Sequence, residues 1–142
     1  MLSIPKYGWT NVTIEEFEGV ASYLTDVPID CLISFINALE NNDIPASIFF
    51  DEEGSYFTVV SRMYETYIIV EREEQPELIT INKSTISLAK ELIYDIESNL
   101  EEWVLWFNYY DEYAEDCEAN LNKRREHISK LLNRLKKLVK SQ

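Results

Sequence analysis

Hydrophobic residues recur at alternating intervals of four and three positions from Ile96 to Leu138, which is the longest regular pattern in the chain. A repeat of this kind is typical of an α-helix that buries one face against a partner helix. Arg124 is the polar exception, and the other members are Ile96, Leu100, Trp103, Phe107, Tyr110, Ala114, Cys117, Leu121, Ile128, Leu131, Leu135 and Leu138. The partner helix is either another part of the same chain or a second copy of the protein.

The distribution of charge along this heptad repeat favours an antiparallel partner. A parallel pair would place acidic segments side by side, and basic segments as well, which is repulsive. Antiparallel pairing instead brings acidic residues close to basic ones, namely Glu101, Glu102, Asp111 and Glu112 to Lys130, Arg134, Lys136 and Lys137. We therefore predict that residues 84–142 form a helical hairpin bent near residues 108–122, or a coiled coil, and we prefer the hairpin.

Two short helices are predicted near the N-terminus. Residues 13–16 have the sequence Thr-Ile-Glu-Glu, the pattern of a capping box, which predicts a helix that continues to about Leu24. Pro28 stands near the start of a second helix, where proline is favoured. The apolar residues of this second helix recur at helical intervals, namely Ile29, Leu32, Ile33, Ile36 and Leu39. Polar residues 41–43 and Pro45 are expected to end it.

The middle of the chain has the composition of β-strands. Four short segments rich in Ile, Val, Phe, Tyr and Thr predict an antiparallel meander, namely residues 46–51, 56–62, 66–72 and 77–82. Gly54 ends an acidic hairpin loop after the first of them. We therefore predict a single α+β domain over residues 1–142, with an α+β core in residues 1–83 and a long helical or coiled-coil segment in residues 84–142.

The chain of 142 residues has a formal net charge of −13, and this charge is unevenly distributed. Residues 1–122 have a net charge of −20, whereas residues 123–142 have a net charge of +7. The acidic part repels nucleic acids and attracts cationic partners at long range. The basic tail has the composition to contact phosphates or anionic lipid, but we expect it to pair with the acidic helix of the same protein.

The residue types that enzymes and metal sites use are sparse. His127 is the only histidine, which excludes two-histidine metal motifs, and the glycines at positions 8, 19 and 54 form no phosphate-binding loop. The acids of the helical segment lack the Glu-x-x-His pairs of di-iron bundles. We therefore expect no catalytic residues, no metal ligands and no cofactor, and we interpret the protein as non-enzymatic.

The sequence also predicts where the protein acts. No apolar run approaches the ~18 residues that a membrane span needs, and no secretory signal pattern is present, so we expect no membrane contact. Cys31 and Cys117 lie far apart in sequence and form no C-x-x-C pair. We interpret them as free thiols of a reducing compartment, which predicts a cytoplasmic location.

Aromatic residues are concentrated in one short part of the heptad segment, namely Trp103, Trp106, Phe107, Tyr109, Tyr110 and Tyr113. The members that belong to the heptad repeat are expected in the core. Trp106, Tyr109 and Tyr113 share another face of the predicted helix. That face packs against the sheet, or it binds a protein partner or a planar ligand, because Trp and Tyr dominate binding hot spots.

Four segments within residues 26–107 occur in a notable order. They are residues 27–39, the acidic hairpin of residues 48–54, Asp95-Ile96-Glu97 and Trp103-Val104-Leu105-Trp106. This order resembles small acidic immunity proteins of bacterial toxin systems, in which a short helix precedes an acidic hairpin and a Trp-bearing helix. The resemblance implies stoichiometric neutralisation, in which an acidic surface occludes a cationic active site. The heptad repeat beyond Phe107 departs from that pattern.

Our leading hypothesis is a bacterial or phage protein that inhibits or neutralises a basic protein, such as a toxin or a nucleic-acid enzyme. Acids would attract this partner and aromatic residues would bind it. The candidate partner-binding residues are Asp51, Glu52, Glu53, Glu101, Glu102, Asp111, Glu112, Trp106, Tyr109 and Tyr113. We also expect a homo-oligomer, either a dimer or a larger assembly.

Two alternatives remain open at this point. The first is a phage-type protein that sequesters a small nucleotide signal at an oligomer interface, with the ligand held by Arg62, Arg72, Arg124, Arg125, Trp106 and Tyr109. The second is a structural coiled-coil oligomer whose basic tail contacts nucleic acid. A nucleotide-induced change in Trp fluorescence would favour the first, and binding of nucleic acid by the tail would favour the second.

Overall fold

The computed structural model describes residues 1–107 and 117–142, which form six strands and four helices. Their bounds are β1 Trp9–Ile14, β2 Phe17–Ser22, α1 Val27–Glu40, β3 Ala46–Asp51, β4 Tyr56–Arg62, β5 Glu65–Glu71, β6 Glu77–Ile81, α2 Thr85–Ser98, α3 Leu100–Val104 and α4 Cys117–Lys140. The strands form an antiparallel hairpin of β1 and β2 and an antiparallel sheet in the order β3-β4-β5-β6.

The four-stranded sheet confirms the predicted meander, because the observed strands agree with the predicted segments to within one residue at each end. Alternate residues of the strands are buried and form the sheet side of the core, namely Ile48, Phe50, Phe57, Val59, Ile68 and Val70. The loop between β3 and β4 has a positive φ at Glu53 (57°) and at Gly54 (117°), so glycine occupies a position that strongly favours it.

The predicted fold is wrong at the N-terminus, where strands rather than a helix begin the chain. Most of the segment predicted as a helix belongs to the β1–β2 hairpin, in which Val12 and Ile14 are buried at alternate positions. The turn of this hairpin has a positive φ of 52° at Glu15. The period of two outweighs the capping-box pattern, because only an extended strand places Val12 and Ile14 on the same face.

A glycine fixes how this hairpin packs against the sheet. A Cβ atom at Gly19 of β2 would lie 2.6 Å from Cε1 of Phe57, so this position accepts only a hydrogen. Next to it, the rings of Phe17 and Phe57 meet edge to face with centroids 4.9 Å apart. The close approach therefore brings the hairpin onto the inner face of β4.

The second predicted helix is confirmed as α1. Pro28 lies in its first turn, and the helix buries Leu32, Phe35 and Leu39. It packs against β3 and against α4. The helix therefore lies between the sheet and the C-terminal part of the chain.

The heptad repeat does not form one continuous helix. Helix α2 ends at Ser98, and Asn99 separates it from the short helix α3. The carbonyl oxygen of Asp95 accepts hydrogen bonds from Asn99 Nδ2 and Trp103 Nε1, each at 3.2 Å. The two side chains supply hydrogen-bond donors to a carbonyl group at the end of α2, in place of a backbone amide. The helix can therefore end here without glycine or proline.

Helix α4 packs against α1, α2 and α3 of the same chain. This packing confirms the intramolecular arrangement that we preferred, while most of the predicted bend at residues 108–122 lies outside the described residues. The core side of α4 consists of Ile128, Leu132 and Leu135, each at most 3% exposed, although Leu132 is not part of the heptad repeat. The buried positions of α4 differ from the heptad positions because α4 contacts several helices rather than one.

Basic residues of α4 pair with acids of the same chain, which is the role that we expected for the tail. The pairs are Arg124 with Asp26, Arg125 with Glu101, Arg134 with Glu40, and Lys136 with Glu97. The acids come from three different parts of the fold rather than from one facing helix, since α4 lies across α1, α2 and α3. Four of the eight basic residues of the tail are therefore paired within the described part of the chain.

Arg124 of α4 joins the start of α1 to the end of α3. Its Nη1 and Nη2 atoms donate to both carboxylate oxygens of Asp26, the residue before α1, at 2.9 and 3.0 Å. Its Nε and Nη2 atoms also donate to the carbonyl oxygens of Val104 (3.0 Å) and Trp103 (3.2 Å) at the end of α3. The guanidinium carbon lies 5.1 Å from the ring centroid of Phe107. A single polar residue in the repeat thus satisfies groups that the helix ends leave unpaired.

We predict that Arg124→Met lowers the free energy of unfolding by about 2–4 kcal/mol, because the Asp26 carboxylate and the Val104 carbonyl lose their donor, whereas the Trp103 carbonyl keeps the amide of Trp106. The matched control is Arg125→Met, which removes the neighbouring arginine and its exposed pair with Glu101 and should change stability little. Chemical denaturation followed by circular dichroism measures both. Equal losses in the two variants would contradict this role of Arg124.

Candidate partner-binding surface

One face of the four-stranded sheet points away from the core and is rich in apolar side chains. We call it the open face and define it by Phe49, Tyr56, Val60, Tyr67, Ile69 and Leu78. Strand register places Phe49, Thr58, Ile69 and Leu78 in one row across all four strands. The solvent side of an antiparallel sheet is ordinarily polar, so this composition is unusual.

The open face remains accessible in the described structure. Phe49 is 46% exposed, Tyr56 is 41% exposed and Leu78 is 65% exposed. The rings of Phe49 and Tyr56 lie side by side, with centroids 5.3 Å apart. An accessible row of aromatic and aliphatic side chains is the kind of surface that a protein partner covers.

Acids surround the end of the open face where the β3–β4 and β5–β6 loops lie together. Strand register aligns Asp51, Tyr56 and Glu71 in the last row of the sheet. Together with loop residues they form what we call the acidic rim, defined as Asp51, Glu53, Glu71, Glu73 and Glu74. Within the described part of the chain no member of the rim forms an ion pair. Its negative charge is therefore available to a partner.

Glu52 differs from its neighbours in this loop, because it is a structural residue. Its carboxylate accepts two hydrogen bonds from Arg72, at 2.9 and 2.8 Å, one from Ser55 Oγ at 3.0 Å, and one from the Val20 amide at 3.3 Å. The side chain is only 7% exposed. Burial disfavours the carboxylate, but the hydrogen bonds outweigh that effect, so the pKa of Glu52 lies below its ordinary value. The structure thus gives Glu52 a role inside the protein.

Asp51 and Glu53 lie on either side of Glu52 and are held by the loop itself. The Asp51 carboxylate accepts a hydrogen bond from the amide of Glu53 at 2.7 Å. Glu53 is exposed and Asp51 is partly exposed. Two of the three acids predicted in this loop therefore belong to the accessible surface.

The predicted candidates in the heptad segment are placed differently. Glu101 is paired with Arg125, whose hydrogen bonds hold the pKa of that carboxyl below its ordinary value, and Glu102 is exposed. Trp106 is 2% exposed and donates a hydrogen bond from Nε1 to the carbonyl oxygen of Thr25 at 2.9 Å, so it has no surface to offer a partner. The remaining candidates lie outside the described residues, namely Tyr109, Asp111, Glu112 and Tyr113.

The arginines of the predicted nucleotide site do not form one site. Arg72, Arg124 and Arg125 already bind the carboxylates of Glu52, Asp26 and Glu101. Arg62 lies elsewhere and lines a pocket of about 390 Å³ between the end of α1, the β4–β5 turn and the start of α2. Binding of phosphates by the three paired arginines would first require loss of these ion pairs.

The sequence contained a signal for the open face that we did not use. Apolar residues occur in adjacent pairs in three strands, namely Phe49-Phe50, Val59-Val60 and Ile68-Ile69. Because successive side chains of a strand point to opposite faces, such pairs place an apolar residue on each face of the sheet. A sheet that is apolar on both faces is typically covered on both faces, whereas the described residues cover only one.

No protein-family model, curated protein or solved structure matches this chain. Among the described residues, no helix has the length and the apolar composition to cross a membrane. The same residues contain no group of three or more His, Cys, Asp or Glu side chains placed to hold a metal ion. The case for function therefore depends on the surface itself.

The Glu52–Arg72 pair makes a prediction about pH. A carboxyl with a lowered folded-state pKa stabilises the protein above its unfolded pKa, ordinarily near 4.5, and this stabilisation is lost as the pH falls through the folded-state value. At neutral pH, Glu52→Gln should lower the free energy of unfolding by about 1–2 kcal/mol, because the variant loses the charged hydrogen bonds to Arg72. The loss stays this small because Arg72 is partly exposed and solvent screens the pair. The difference from wild type should be constant down to about the unfolded pKa and shrink below it.

Thermal unfolding of wild type and variant across this pH range measures the effect. The control is Glu53→Gln in the same loop, which should match wild type at every pH, since the Glu53 side chain is exposed and has no ion pair within the described residues. A constant difference between Glu52→Gln and wild type at all pH values would show that the charge of Glu52 does not contribute.

Proposed function

We propose that this chain is a non-enzymatic binding protein that neutralises a basic protein partner through the open face and the acidic rim. The observation that carries the proposal is an apolar sheet face that residues 1–107 and 117–142 leave uncovered, bordered by acids that form no ion pair within those residues. Apolar side chains would supply affinity when the partner covers them, and the rim would select a cationic partner and speed its association. Aromatic residues such as Phe49 and Tyr56 are the type that dominates such contacts.

A toxin or nucleic-acid enzyme is the class of partner that this chemistry fits best. Such proteins carry basic surfaces because they bind phosphates, and a carboxylate-rich surface can occupy the same positions. Occlusion of a basic active site would neutralise the partner one to one, as the resemblance to immunity proteins implies. We propose that this occurs in the cytoplasm, where a free Cys31 thiol is stable.

Tyrosines on opposite sides of the protein allow a matched test of the open face. We predict that Tyr56→Ser combined with Leu78→Ser weakens partner binding by at least about tenfold, because the variant loses buried apolar contact. Tyr94→Ser is the control, since Tyr94 is 72% exposed on α2, away from the open face. The measurement is quantitative mass spectrometry of proteins that the immobilised variants capture at low salt from a lysate of the source cells.

The expected result is a basic protein that wild type and Tyr94→Ser retain and that the open-face variant loses. Retention should fall as salt is raised, because screening weakens the contribution of the rim. Capture of an acidic protein, or capture that the open-face substitutions leave unchanged, would contradict the proposal.

The acidic rim makes a kinetic prediction once the partner is purified. Asp51→Lys combined with Glu53→Lys should slow association at low salt by about tenfold or more while leaving folding intact, because Glu52 is not changed. The control is Glu118→Lys with Glu126→Lys, an equal change of charge on exposed positions of α4. Stopped-flow measurement of association rates at several salt concentrations compares them. Equal rates for the two variants would remove the rim from the proposal.

A further inference from the structure

The two edge strands of the four-stranded sheet differ in what lies beside them. At the β3 edge, Ser34 of α1 donates from Oγ to the carbonyl oxygen of Ser47 at 2.9 Å, and β2 lies beside the strand. At the β6 edge, strand order places no further strand beyond Glu77–Ile81 among the described residues. An uncovered edge presents unpaired backbone N–H and C=O groups, which can pair with an additional strand.

A groove runs along this uncovered edge. It lies between β6 and the turn of the β1–β2 hairpin and has a volume of about 680 Å³. Phe17, Val70 and Ile79 form apolar parts of its lining. Open edges are usually protected by a central lysine, by proline or by a bulge, but β6 contains neither lysine nor proline within its bounds. The edge strand and the groove therefore lie side by side.

The charge of the groove specifies its occupant. Glu16, Glu18 and Glu77 line it, are exposed, and form no ion pair within the part of the chain that the structure describes. The cations nearby are already paired, Arg72 with Glu52 and Lys83 with Glu15 and Glu91. An occupant with Lys or Arg side chains would therefore find free carboxylates on both walls.

We propose that β6 binds an extended basic segment as an added strand of the sheet. The inference rests on the proposed function, since it names the part of the basic partner that docks there. Side chains of an added strand alternate between the two faces. Those on the groove side would be Lys or Arg, with their aliphatic stems on Ile79 and their charges near Glu16, Glu18 and Glu77. Those on the other side would be apolar and would extend the open face beyond Leu78.

This arrangement predicts a sequence pattern in the bound segment, which is an alternation of basic and apolar residues. The strand β6 has five residues, so it can pair with a segment about 17 Å long. Backbone hydrogen bonds would provide affinity that does not depend on sequence, and the alternation would provide specificity.

A pair of synthetic peptides tests the proposal without knowledge of the partner. The first is acetyl-Lys-Val-Lys-Val-Lys-Val-Lys-amide, and the second has the same composition in blocks, acetyl-Lys-Lys-Lys-Lys-Val-Val-Val-amide. Amide hydrogen exchange by NMR on the full chain reports each residue of β6. We expect the alternating peptide to slow exchange of the outward-pointing amides of residues 77–81 by about tenfold or more, and the block peptide to leave them unchanged.

Charge variants complete the test. Glu16→Gln with Glu18→Gln and Glu77→Gln should weaken binding of the alternating peptide about tenfold. The control Glu71→Gln with Glu73→Gln and Glu74→Gln removes the same charge from the rim and should change binding far less. Unchanged exchange in β6, or equal protection by both peptides, would overturn the proposal.

Failure of this inference and failure of the proposed function give different results. A natural partner that binds the Glu16, Glu18 and Glu77 variant as tightly as wild type, but is lost from the open-face variant, would overturn the β6 site alone. A partner that is insensitive to the open-face substitutions would contradict the proposed function itself.

Discussion

The arrangement of the helices depends on the hydrogen bonds that the Arg124 side chain donates. This side chain binds Asp26 before α1 and the carbonyls at the end of α3, and it does so from the middle of α4. An arginine fits this position because its planar group of donors can serve a carboxylate and two carbonyl groups at once. Beside it, Ile128, Leu132 and Leu135 bury the apolar side of α4. The hydrogen bonds at the helix ends and the apolar core thus favour the same packing, in which α4 lies against other helices of the same chain.

This packing also decides where charge remains. Four of the eight cations of α4 pair with Asp26, Glu40, Glu97 and Glu101, all within or next to the helices. The acids of the sheet loops receive no such cations, apart from Glu52, which is bound by Arg72. The unpaired acids of the described residues therefore include the acidic rim, which borders the open face. Apolar surface and unpaired negative charge coincide because the helices use their basic residues among themselves.

The sequence predicted the secondary-structure elements that local periodicity determines. It did not predict the features that depend on contacts between residues far apart in the chain. Strands β3 to β6 and helix α1 could be located because alternation or helical spacing persists along each of them. The N-terminal hairpin could not, because a capping-box pattern overlaps a short alternation and because the close approach of Gly19 to Phe57 is a tertiary contact. Similarly, Asp51, Glu52 and Glu53 are alike in sequence, and only the position of Arg72 in the fold separates the structural acid from the others. Helical periodicity left open whether Trp106 packs against the sheet or binds a partner, and in the structure it is buried and donates a hydrogen bond to the Thr25 carbonyl before α1.

An uncovered apolar sheet face is a hazard as well as a binding surface, since it invites association between copies of the protein. The acidic rim counters this hazard, because two copies that met through their open faces would bring like charges together. In the proposed function the same charges would favour a basic partner, so one set of residues would both disfavour self-association and select the partner. The heptad repeat led us to expect a homo-oligomer, but the most deeply buried described members of that repeat on α4, Ile128 and Leu135, pack within the chain. An apolar binding face can be compatible with solubility where, as here, acidic residues lie next to the apolar ones.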